Sequence, residues 1–388
     1  MRHEYEYVVI GLGGIGSGAA YWLARRAGAD VLGLEQFEIG HTRGASQDHS
    51  RIIRLSYHTP GYVELAKQAY AAWDVLERDA NEKLIVKTGG LDFAPRISKI
   101  PMSDYIVSLT AAGVPFEHLD AGEIMKRWPQ FRLSDDIHGL YQSASGIAPA
   151  AKCNAAHQRL AREHGAMLRE RTQVSSIRET GGEIEVVASG AVFRCRKLIL
   201  AVDAWTNHLL AHFDVRLPLT ITQEQVVYFA SPRAADFAPD RFPIWIWLDD
   251  PCFYGFPTFG EPGPKAAQDV GGDEVTPDTR TFEANPITLQ RVTDFLAKYI
   301  PGALGPIIAA KTCLYTLPPD RDFVLDSLPG HENVFVVLGA AHGFKFASLF
   351  GKILSELAID GSTASHIAPF KIDRPILRLE NPPKNFMT

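Results

Sequence analysis

Residues 7–36 read YVVIGLGGIGSGAAYWLARRAGADVLGLEQ, and the order of residue types in this stretch decides the fold. The apolar run 7–10 has the unbroken hydrophobicity of a strand buried on both faces of a parallel sheet. Gly11-Leu12-Gly13-Gly14-Ile15-Gly16 interrupts it. An alanine-rich helical segment runs on to about Arg26, and a second apolar strand over 30–34 ends at Glu35. Strand, glycine turn, helix, strand and closing acid make the βαβ unit that binds a dinucleotide. Gly11 permits the tight turn, Gly13 lets the backbone approach a pyrophosphate, and Gly16 lets the helix pack close on the strand. The helix N-terminus offers its N–H groups to phosphate oxygens, and Glu35 is placed to accept hydrogen bonds from a ribose diol. The fingerprint does not separate NAD from FAD.

A chain of 388 residues is long for one core and comfortable for two domains. Its 46% hydrophobic and 22% charged residues are those of a globular protein, and a net charge of −6 without like-charge blocks makes neither nucleic acid nor a membrane an expected partner. Cys153, Cys195, Cys252 and Cys313 are scattered without a CxxC pair. That argues against a metal site and a disulfide framework, and for a reducing compartment. The opening MRHEYEYVVIGLGG has no signal-peptide core, His342 and Lys345 break the longest apolar run near the end, and NFMT is no peroxisomal address. A cytoplasmic location is expected.

Two later stretches, CRKLILAVDAWTNHLL with a turn at Asp203-Ala204-Trp205 and NVFVVLGAAHGFKFASLFGKILSELAIDG, again run strand, turn, helix. Leu349, Ile353, Leu354 and Leu357 recur at helical spacing, as core packing requires. A nucleotide domain visited at the start, middle and end of a chain suits a flavoprotein better than a simple NAD dehydrogenase, because a flavin ring must meet a second domain. LTITQEQVVYFASP and FPIWIWLDDPCFYGFPTFG alternate and are rich in β-branched and aromatic residues, which predicts an antiparallel sheet for that domain. The expected fold is α/β plus β. A Rossmann-like nucleotide domain is built from 1–86, 145–222 and 313–388, and a catalytic domain on a largely antiparallel sheet from 87–144 and 223–312.

Four motifs then fall in order: HTRGASQDHSRIIRLSYH, CFYGFPTFG followed by Lys265, KTCLYT, and HGFKFAS. In this order and spacing the chain resembles, over nearly its whole length, the monomeric sarcosine oxidase family. That family includes relatives acting on N-methyltryptophan and pipecolate and, more distantly, on fructosyl amino acids. The resemblance implies a monomeric flavin amine oxidase. Its FAD would be attached through the flavin 8α-methyl group to Cys313, its substrate a secondary amine bearing a carboxylate, and its acceptor molecular oxygen, reduced to hydrogen peroxide. It assigns Arg54 and Lys345 to the substrate carboxylate, which a guanidinium grips bidentately while an ammonium adds a compact charge. It sets Arg51 beside the flavin ring, one helical turn before Arg54, and Tyr254 and Tyr315 in the substrate cavity. Lys265 would lie over the flavin, where a fixed positive charge stabilises developing superoxide. Ser50, Arg51, Val174, Gly343 and Lys345 join Gly11, Gly13, Gly16 and Glu35 as cofactor-binding positions.

Each residue also has an ordinary reading. Cys313 is then a small apolar side chain, Arg54 an ion pair at a helix end, Lys345 a lysine snorkelling from the final helix, and Lys265 an exposed residue of a Gly/Pro loop. Tyr254 and Tyr315 are then core residues with bonded hydroxyls. Trp245 and Trp247 share one face of a strand, either as a bulky cavity wall or as core. Ser46 and Gln47 stand where relatives often carry two histidines, with His49 displaced, and Asp269 stands where sarcosine-specific relatives carry a histidine. The competing functions are an oxidase of bulkier or cyclic secondary amines, an NAD-dependent dehydrogenase, and a non-catalytic module that keeps a nucleotide for stability.

Overall fold

The computed structural model of the chain describes residues 2–385; residue 1 and residues 386–388, which include most of the NFMT terminus, lie outside the described residues. The strand Glu4–Ile10 is flanked in parallel by Val31–Leu34 and Ala191–Leu200. Met167–Arg169 and His331–Leu338 extend this parallel core on its two sides. Val324–Leu328 closes one edge antiparallel, and the paired strands Val174–Thr180 and Glu183–Ala188 join the first half of Ala191–Leu200. The helix Gly14–Ala27 packs between Ala150–Glu163 and Ala347–Asp360 over this sheet.

The turn after the first strand depends on two glycines. Gly11 has φ +87°, and a Cβ there would run into the Ala201 carbonyl oxygen; a Cβ on Gly16 would run into the carbonyl of Gly11 itself. The helix can therefore begin directly under the turn, at the C-terminal ends of the parallel strands where dinucleotides bind.

Among the described residues the second sheet has nine strands. Lys265–Asp269 lies between Thr220–Phe229 and Cys252–Phe256, followed outward by Ile244–Trp247, Gly90–Pro95, Ile137–Gln142 and Glu117–Asp120. Ile307–Leu317 covers the other side of Thr220–Phe229. All these pairs are antiparallel except Ile244–Trp247 with Gly90–Pro95. The expected domain boundaries at 222/223 and 312/313 cut Thr220–Phe229 and Ile307–Leu317 internally, whereas both strands pair along their lengths within this sheet.

Side chains alternate across a strand, and the alternation decides what each face does. Trp245, Trp247, Phe253, Val227, Phe229 and Ala266 turn to one side and form a core with the helix Pro286–Tyr299. Phe295 of that helix stacks on Trp245, with ring centroids 5.4 Å apart, and on Phe253 at 4.4 Å. Ile246, Tyr254, Phe256, Lys265 and Asp269 turn the other way and line a cavity. Both indoles therefore belong to the core, and Ile246 between them faces the cavity. Among the described residues no helix is long and apolar enough to cross a membrane.

Trp247→Ala should cost about 3–5 kcal/mol of stability and leave the KM of the folded fraction unchanged. Thermal unfolding beside steady-state kinetics checks this; a shifted KM at unchanged stability would return Trp247 to the cavity wall.

Candidate active site

The cavity encloses about 540 Å³. Its lining includes Val174 and, from the turns at the strand ends of the nucleotide sheet, Gly11, Gly13, Glu35 and Gly343, together with Ser50, Arg51, Arg54, Tyr254, Lys265, Cys313, Tyr315 and Lys345. Gly16 lies outside the lining, beneath the turn, where its missing side chain lets the helix approach Gly11.

At the nucleotide end, Glu35 accepts hydrogen bonds from the backbone N–H of Leu12 (3.0 Å) and Phe37 (3.1 Å), and His41 Nε2 stands 3.4 Å away. Burial alone would raise the Glu35 pKa; His41 and the two backbone donors outweigh it and hold the carboxyl below its ordinary value. An ionised acceptor at the end of the second strand, bare backbone at Gly13 and a buried Ser50 hydroxyl without a hydrogen-bond partner all fit an FAD.

Cys313 lies in Ile307–Leu317, with Lys311 and Tyr315 two residues to either side and so on the same face. Its thiol is free and is pushed up to about 11 by burial, against the pull of Arg51, Arg280 and Lys265. The Tyr254 and Tyr315 hydroxyls are 3.4 Å apart.

Lys265 departs most from its ordinary reading. It opens the strand Lys265–Asp269 instead of sitting in an exposed loop, and it is only 2% exposed. Its Nζ donates to Asp48 Oδ2 and to the Ser50 carbonyl, both at 2.9 Å, and lies 4.2 Å from the centre of the Phe256 ring. Burial lowers its pKa to about 8, against the opposing pull of Asp48.

The relation between Arg51 and Arg54 is not helical. Arg51 begins the strand Arg51–Ile53, paired with Gly146–Ala148, and Arg54 follows its end. Three residues in extended chain send side chains to opposite sides. Accordingly Arg51 stands 3.8 Å from Asp48, whereas Arg54 lies over the rings of Tyr57 and Tyr105 with Nη1 3.5 Å from Asp92 Oδ1. Arg54 is 8% exposed, and among the described residues its Nε and Nη1 make no well-formed hydrogen bond, Asp92 standing at ion-pair distance only. Lys345 is in the short turn Gly343–Phe346 before the final helix and donates to the His342 carbonyl at 2.9 Å. Desolvation, with Arg54 and Arg321 near it, draws its pKa well below that of an ordinary lysine. Asp269 is paired, since Arg321 Nη2 lies 2.8 Å from both of its oxygens.

Sequence reasoning passed over Asp48, Asp92, Tyr228, Lys311 and Arg321. Lys311 was within reach of it: it precedes Cys313 by two in a strand, and period two puts both on one face. Asp48 and Arg321 carried no local signal, because their partners are 217 and 52 residues away.

The sequence model of the FAD dependent oxidoreductase family matches residues 6–357, and the chain belongs to that family. This settles the nucleotide that the fingerprint left open. A monomeric sarcosine oxidase of Streptomyces avermitilis is 35% identical over 379 residues, covering 95% of this chain and 97% of that protein. An N-methyl-L-tryptophan oxidase of Salmonella newport is 28% identical over 377 residues, covering 96% and 99%. The solved structure of NikD, an unusual amino acid oxidase essential for nikkomycin biosynthesis, matches with a TM-score of 0.85 at 27% identity, over 95% of this chain and 98% of that one. The chain is an FAD-dependent amine oxidase.

Proposed function

We propose that this enzyme oxidises secondary amino acids, sarcosine or another small N-methyl or cyclic amino acid, on FAD tethered to Cys313. The observation that carries the reading is Arg54. A guanidinium nearly out of water has one carboxylate, Asp92, at 3.5 Å, and among the described residues its Nε and Nη1 make no well-formed hydrogen bond. Buried donors left open are costly, and a fork of parallel N–H groups is matched by an incoming carboxylate. Lys345, whose charge is disfavoured by the same surroundings, becomes better compensated when that carboxylate arrives.

FAD held by this cavity would supply a two-electron acceptor for the carbon beside the amine; the resulting imine would be hydrolysed by water, and molecular oxygen would take up the two electrons and two protons as hydrogen peroxide. Arg54 and Lys345 hold the carboxylate and so fix which carbon faces the ring. Tyr254, Tyr315 and Ile246 line the same cavity. Lys265, cationic below about pH 8, supplies fixed positive charge where negative charge develops on oxygen. Oxidation of bulkier N-methyl amino acids is the second reading, favoured by the relative named for N-methyl-L-tryptophan. A panel of secondary amino acids followed by peroxide release separates the two. A monomeric, cytoplasmic enzyme belongs to the same reading; it draws on relatives named monomeric sarcosine oxidase and on four unpaired cysteines.

Arg54→Met should raise KM for the amino acid by about 10- to 150-fold, the loss of a charged hydrogen bond of about 1.5–3 kcal/mol. Turnover of the corresponding carboxamide should barely change; an equal loss on both substrates would remove the carboxylate role. For the tether, acid precipitation should leave the yellow colour in the wild-type pellet and release it to the supernatant from Cys313→Ala. Colour in the supernatant of both would reduce Cys313 to core packing.

A further inference from the structure

Lys265 owes its place to one carboxylate. Asp48 is buried in side chain and sits at φ +90°, a backbone conformation that residues with a Cβ enter at a cost. Its two oxygens accept from Lys265 Nζ at 2.9 Å, from Tyr228 Oη at 2.8 and 2.9 Å, and from Lys311 Nζ at 3.1 Å, with Arg51 Nη1 at 3.8 Å. Lys311 divides its attention, donating also to Glu261 at 2.8 Å, and Glu261 is 3.2 Å from His49 Nε2 near the surface. The charged and titratable groups around Lys265 are therefore Asp48 and Arg51 from the segment beside the cofactor turn, Tyr228 from Thr220–Phe229, and Lys311 and Cys313 from Ile307–Leu317. Glu261 and His49 lie beyond Lys311. One buried carboxylate serves three cations, and the outermost has a second carboxylate to lean on.

We propose that Asp48 is the positioning residue for Lys265, holding its ammonium both in place and protonated, and that Lys311 weakens this hold by competing for the same carboxylate. The inference rests on the reading in which Lys265 serves the oxygen step, and it adds what governs that lysine. With Asp48 uncharged, Lys265 faces Arg51 without compensation, and burial favours the neutral amine. With Lys311 uncharged, Asp48 is less neutralised and Lys265 keeps its proton to higher pH. Burial already lowers the Lys265 pKa to about 8, so either change shifts its protonation at a pH within experimental reach. The two substitutions act in opposite directions, which a general loosening of the fold does not reproduce.

The test uses holoenzyme reduced anaerobically and mixed with oxygen across a pH series. The wild-type rate should fall as pH rises through about 8. Asp48→Asn, which keeps the size of the side chain and suits a positive φ, should move that midpoint down by about 1–3 pH units. Lys311→Gln, at a half-exposed position, should move it up. A second readout needs no turnover: the ¹³Cε resonance of Lys265, assigned by its loss in Lys265→Met, should titrate with the same opposite displacements. Unmoved midpoints in that resonance, or displacement in the same direction for both variants, would overturn the proposal. Opposite displacements of the resonance with oxygen rates that ignore them would uphold the role of Asp48 and instead remove Lys265 from the oxygen step.

Discussion

The active site is organised by a cost. Arg51, Arg54, Lys265 and Arg321 line one cavity, and a cation taken out of water survives only beside an anion or with its donors satisfied. The chain supplies three carboxylates for them: Asp48 for Lys265 and, at longer range, Arg51; Asp92 for Arg54; Asp269 for Arg321. Among the described residues, Lys345 of the same cavity has no carboxylate at ion-pair distance. It leans on a backbone carbonyl and is driven toward neutrality. The least compensated part of the cavity is thus the Arg54–Lys345 end, where an amino acid carboxylate completes the charge balance.

The rigidity of this balance comes from the second sheet. Its two faces have opposite duties, and strand alternation allows both at once. Phe253 and Trp245 bury into an aromatic core that fixes the strands, and the neighbouring Tyr254 and Ile246 are thereby aimed at the cavity. A one-residue slip in Lys265–Asp269 would bring Ala266 to the cavity and send Lys265 into aromatic packing, so core and catalytic face enforce the same register.

Much of the fold was legible because its grammar is local. The turn from Gly11 to Gly16, the acid at Glu35 and the strand–turn–helix returns at 195–210 and 333–361 rest on neighbours in sequence, and their strands pair in the parallel core of one mixed sheet. What escaped depends on long-range pairing. Arg51 and Arg54 read as a helical pair by spacing, yet hydrogen bonds to Gly146–Ala148 make that stretch a strand. Lys265 read as a loop residue because Gly260, Pro262, Gly263 and Pro264 precede it, and only pairing with Phe256 and Tyr228 shows where the loop stops. Asp48 went unnoticed in the stretch HTRGASQDHS, where Ser46, Gln47 and His49 drew the attention, and its lysine partner lies 217 residues away, more than half the length of the chain.

The most direct measurement is to mix the yellow protein, free of oxygen, with N-methylglycine or pipecolate and follow the flavin absorbance before and after admitting air. The account predicts bleaching by a secondary amino acid, much less by its carboxamide, and full return of colour in air with about one peroxide released per flavin. A flavin that no secondary amino acid bleaches, or one that bleaches equally with the carboxamide, would contradict it.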